Sequence, residues 1–115
     1  MRYLIIIISL STFLACTKNK PTSYQCSTNS TISYQEDIRP ILELKCMNCH
    51  AYPGVGGIYL DSFQLVHDLA LDGSLLGSIL SEPNYTPMPP EGNSLLDSCE
   101  LFLLKSWINQ GAPFN

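Results

Sequence analysis

Positive charge is scarce in this chain. Lys and Arg number 6 against 10 Asp and Glu, for a formal net charge of −4 at pH 7. There is no basic stripe, so nucleic acid is not an expected partner. Long apolar runs are missing too. The mostly apolar stretch from Tyr3 to Phe13 covers about a dozen residues, short of the roughly 20 that a membrane-crossing helix needs. No internal repeat is visible, nor the alternation of strand and helix patterns that marks a βαβ unit. A chain of 115 residues has room for one small domain.

What is present begins with an export pattern. Met1 and Arg2 make a short basic start, Tyr3 to Phe13 an apolar segment, and Leu14-Ala15-Cys16 follows. Residues 1–15 read as a secretory signal and are set apart from the fold. Phe13-Leu14-Ala15-Cys16 resembles a bacterial lipobox, with Phe13 standing where leucine is commonest. The resemblance implies cleavage before Cys16 and diacylglycerol on its sulfur. Each buried methylene adds about 0.8 kcal/mol, so more than one acyl chain holds firmly. The competing reading is an ordinary cleavable signal with an incidental cysteine. Residues 16–25 are then the lipidated cysteine and a polar tether. The expected location is a bacterial cell envelope, with the domain held to a membrane outside the cytoplasm, most naturally on the periplasmic side. Loss of Arg2 leaves Lys18, Lys20, Arg39, Lys45 and Lys105 against 10 carboxylates. The carboxylates are dispersed, which suits solvation better than steering of a basic partner.

The chain centres on Cys46-Met47-Asn48-Cys49-His50. This is C-x-x-C-H, the pattern of c-type haem attachment. Two thiols one helical turn apart can reach two vinyl groups on one haem. The adjoining His50 can then offer an imidazole nitrogen to the iron. A zinc site wants a second ligand pair. Cys26, Cys99 and His67 are what is left, and none forms a second C-x-x-C. A thiol–disulfide site wants a βαβ context. Of the five cysteines, haem takes Cys46 and Cys49 and lipid takes Cys16. In an oxidising compartment the remaining pair, Cys26 and Cys99, predicts a disulfide. It closes a loop of about 73 residues, worth roughly 4 kcal/mol. The alternative is two inert buried thiols.

Helix signals surround the motif. Ser33 and Glu36 have capping-box spacing, with Asp37 in the same turn. Ile38, Ile41, Leu42 and Lys45 share one face. Pro40 should kink this helix or mark its true start, and the helix should carry into the motif. Residues 51–60 are rich in glycine and read as a loop, with Ile58 and Leu60 as candidate cofactor-packing residues. A second helix is expected over 62–72, capped by Ser62 and ended by Gly73, with Phe63, Val66, Leu69 and Ala70 inward and His67 at the surface. A third spans 74–80. Four prolines between 82 and 92 forbid helix there. The last helix has Asp97 and Glu100 as a capping box and stops at Gly111 and Pro113, with Trp107 in the core.

Met88 stands in the proline-rich loop. Of three methionines, Met1 leaves with the signal and Met47 sits inside the motif. Met88 is therefore the candidate sixth ligand by elimination; the alternative is a methionine packing the core.

Taken together, residues from Tyr34 to Asn115 resemble a small class I cytochrome c domain. The likeness rests on Asp37-Ile38-Arg39-Pro40-Ile41-Leu42, on Cys46-Met47-Asn48-Cys49-His50, on Gly56-Gly57-Ile58-Tyr59-Leu60, on Met88-Pro89-Pro90 and on Trp107-Ile108-Asn109-Gln110-Gly111-Ala112-Pro113. It implies an all-α fold over residues 26–115, with three to five helices and long loops around one haem. The terminal helices would cross near that haem. It implies covalent haem c on Cys46 and Cys49, His50 proximal and Met88 distal. The Cys26–Cys99 pair lies outside the family pattern and rests on the cysteine count. The expected function is one-electron transfer with redox partner proteins, with no catalysis and no small-molecule substrate. A haem-based sensor is the alternative, and it requires that Met88 leave the iron. A peroxidase-like enzyme would need an open iron and usually a second haem. A haem-free zinc or structural lipoprotein would be colourless.

Overall fold

Ser33 begins the first helical run. Its Oγ accepts the Glu36 N–H at 3.2 Å, but its own N–H donates to Asp37 Oδ2 at 2.8 Å. Asp37, not Glu36, therefore completes the reciprocal cap. The cause is a wide first turn. Tyr34–Ile38 winds as a π-helix, with Ile38 N–H reaching the Ser33 carbonyl at 3.2 Å. That brings residue i+4 back over the cap. The α-helix proper, α1, is Arg39–Lys45 and carries Pro40 in its first turn. A missing N–H is harmless there, since first-turn donors have no partner within the helix.

The computed structural model describes Cys26, residues 31–91 and residues 96–115; the expected signal and most of the tether lie outside the described residues. Helix α1 does not run unbroken into the motif. Cys46 stretches to φ −119° and separates it from a one-turn helix, α2, Met47–His50. The Cys46 carbonyl then accepts two donors, Cys49 N–H at 3.1 Å and His50 N–H at 3.0 Å.

Helix α3 is Phe63–Leu71; Ser62 holds the cap position without a side-chain hydrogen bond. Helix α4 is Ser74–Ile79. Here Asp72 supplies the cap, Oδ1 accepting the Ser74 N–H at 2.7 Å. That backbone bond, with the Ser74 hydroxyl, holds the Asp72 carboxyl below its usual range. Helix α5, Ser98–Asn109, has both halves of its capping box. Glu100 N–H donates to Asp97 Oδ1 at 2.8 Å, and Asp97 N–H to Glu100 Oε2 at 2.9 Å. Gly73 and Gly111, both at positive φ, follow α3 and α5.

The core joins the two ends of the domain. Trp107 and Leu104 of α5 are fully buried together with Ile38, Ile41, Leu42 and Val66. The Tyr34 ring lies 5.5 Å from that of Trp107 and 4.7 Å from that of Phe63. Trp107 Nε1–H donates to the Pro113 carbonyl at 2.9 Å, which satisfies its one polar group. Asn115 closes the seam, accepting Tyr34 N–H at 2.8 Å and Gln35 N–H at 3.1 Å. Cys26 and Cys99 are joined as a disulfide, with their Cα atoms 5.6 Å apart. The described residues thus form a compact all-helical globule of five α-helices, the first entered through the π-turn, without strands. None of these helices is long and apolar enough to cross a membrane.

Candidate functional site

The bend at Cys46 turns the motif toward a cavity of 410 Å³. Cys46, Cys49 and His50 line it from α2 and the bend, and Met88 from the proline-rich loop. Ile58 and Leu60 contribute from the loop after the motif, Leu69 from α3, Leu75 and Ile79 from α4. His67 is not among its walls. It is half-buried on α3, its ring 5.7 Å from that of Phe63 and its Nδ1 3.3 Å from Asp68 Oδ1.

His50 is held in one orientation. Its Nδ1 lies 2.9 Å from the Ile58 carbonyl. A carbonyl only accepts, so Nδ1 carries a proton, and in the neutral ring the lone pair is left on Nε2. A hydrogen bond to the far ring nitrogen is what orients a ligating imidazole and strengthens it as a base. The loop is wrapped tightly to make this bond: Gly56 N–H donates to the Cys49 carbonyl at 2.9 Å and Leu60 N–H to that of His50 at 2.6 Å. A Cβ on Gly56 would overlap the His50 ring, so only glycine permits this approach.

The two thiols differ. Cys49 is exposed, Cys46 half-buried. Burial, reinforced by the Glu100 carboxylate and opposed by Lys45, pushes the Cys46 thiol up to about 11. Lys45, which sequence periodicity assigned to the inward stripe, lines the cavity. Its Nζ lies 3.5 Å from Oε1 of Glu100, whose side chain is 4% exposed. The pair links the end of α1 to the first turn of α5.

Met88 reaches the cavity because its loop folds back on α4. Its N–H donates to the Ser78 carbonyl at 2.9 Å. Tyr85, Ser78 and Leu96 also line the wall, and sequence reasoning singled out none of them. Tyr85 lies among prolines, where no periodicity exists to read. Among the described residues no cluster of three or more His, Cys, Asp or Glu side chains could hold a bare metal ion. Comparison with known proteins returns no match to a family model, a curated protein or a solved structure.

Proposed function

We propose that residues 26–115 form a cytochrome c-like domain that carries one covalent haem c and passes single electrons between redox partner proteins. The observation that carries this reading is the donor set: two thiols, one imidazole with a free Nε2, and one thioether, all lining a single apolar cavity. The cavity's 410 Å³ falls within the range of cofactor sites, roughly 300–1,000 Å³. Its walls, Leu60, Leu69, Leu75 and Ile79 among them, suit a flat apolar macrocycle better than a hydrated ion.

When bound, the haem supplies an iron that cycles between ferric and ferrous states, and methionine ligation and burial favour the ferrous one. Cys46 and Cys49 would anchor the group through thioethers. His50 would ligate through Nε2, its orientation set by the Ile58 carbonyl, and Met88 through its sulfur. The apolar walls would keep water from the site. With both His50 and Met88 as ligands there is no position for a substrate, so the domain acts as a carrier rather than an enzyme. We assign residues 1–15 as a lipoprotein signal and 16–25 as the lipidated Cys16 with its tether, which would hold the domain to a bacterial membrane outside the cytoplasm, on the periplasmic side.

The test is the exported, matured full chain. Intact mass should show one added porphyrin, and oxidised and reduced spectra should show a low-spin c-type haem. Met88→Ala should remove the near-infrared band of thioether-to-iron ligation. The reduced parent protein should resist carbon monoxide; ready binding would favour the sensor instead. A colourless protein without added porphyrin mass would end the proposal.

A further inference from the structure

The segment that carries Met88 is fastened to α4 by backbone hydrogen bonds. Glu82 N–H donates to the Gly77 carbonyl at 2.9 Å, and Met88 N–H to that of Ser78 at 2.9 Å. Ser81, just before the first of these bonds, and Asn84, between them, turn the chain at φ 55° and 77°. Left-handed backbone at residues other than glycine is unfavourable by itself, so the loop needs packing to stay closed. Tyr85 supplies that packing. Its ring occupies the space a Cβ on Gly77 would take, and its hydroxyl lies 3.3 Å from the corresponding point at Gly73. The ring therefore lies over the start of α4, against backbone that Gly77 leaves bare. Gly77 is buried beneath it.

We propose that Gly77 and Tyr85 form a latch that keeps the 80–90 loop closed on α4 and so holds the Met88 thioether in the cavity. Both are positioning residues: they act on Met88, and neither is placed as a ligand. The inference rests on the reading of Met88 as a ligand, and it adds what sets whether that ligand stays or leaves. An intact latch makes the domain a closed carrier. A released one gives an exchangeable site.

The experiment uses the exported full chain and its Gly77→Ala, Tyr85→Ala and Tyr85→Phe variants. Hydrogen exchange read by mass spectrometry reports the Met88 amide without depending on the cofactor. Carbon monoxide binding to the reduced protein reports the sulfur. Gly77→Ala and Tyr85→Ala should each speed Met88 amide exchange by about tenfold through local opening. Carbon monoxide should bind faster in both, and the near-infrared band should weaken. Tyr85→Phe keeps the ring and should match the parent in every readout. Exchange across residues 98–109 controls for general unfolding, and Tyr85→Ala, which introduces no clash, carries the test if Gly77→Ala fails to fold. Unchanged Met88 exchange and unchanged carbon monoxide binding in the Ala variants would overturn the latch. Faster loop exchange in a protein that has no porphyrin would support the latch and defeat the haem reading alone.

Discussion

Cys46 and Cys49 share a motif but not an environment. In the folded chain before thioether formation, a thiol pushed up to about 11 is roughly one part in a thousand thiolate at pH 8, and the thiolate is the reactive form. Alkylation of Cys46 should therefore rise about tenfold per pH unit between pH 8 and 10 and level off above about 11. Cys49, exposed, should be alkylated first at pH 8. Site-resolved mass spectrometry over time checks this, and equal rates for both thiols at pH 8 would contradict it. At this scale the motif itself was legible from spacing. The proton on His50 Nδ1 was not, because it depends on the Ile58 carbonyl, eight residues away across a loop with no periodicity to read.

Helix α5 shows which element-scale properties are local. Its cap, its length and its stop at Gly111 follow from residues within the helix or next to it. Its energetic weight comes from what it packs against. Trp107 is 0% exposed, while Phe102 of the same helix is 41% exposed. Trp107→Ala should cost about 3–5 kcal/mol as the cavity it leaves is only partly refilled. Phe102→Ala should stay within about 0.5 kcal/mol. Urea midpoints of the two variants measure the contrast, and similar midpoints would mean that α5 is not seated as described. The first helix was less legible. The π-turn at Tyr34–Ile38 and the bend at Cys46 answer to how the chain meets Asn115 and the cavity, and a 3.6-residue period carries no trace of either.

At the scale of the whole molecule, the disulfide and the aromatic seam tie distant parts of the chain together. Cys26 and Cys99 are separated by 73 residues. Replacing both with serine frees the unfolded chain of that constraint and should lower stability by roughly 2–4 kcal/mol. Denaturation of the double variant against the oxidised parent measures the loss; an unchanged midpoint would show that the bridge constrains nothing the fold does not already constrain. Lys45–Glu100 and Asn115–Tyr34 cross the same boundary between the beginning and end of the domain.

Residue type and spacing by themselves determined the helical class, the capped ends of α5, the inward faces of α1 and α3, and the thiol–thiol–imidazole run. Each is a relation among neighbours a few positions apart, and local backbone geometry is enough to set it. The tertiary structure alone decided which carbonyl orients His50, that Asp37 takes the place of Glu36 in the first cap, and that Tyr85 lies on Gly77 beside Met88. Those are meetings of surfaces whose shapes exist only once the chain has closed on itself.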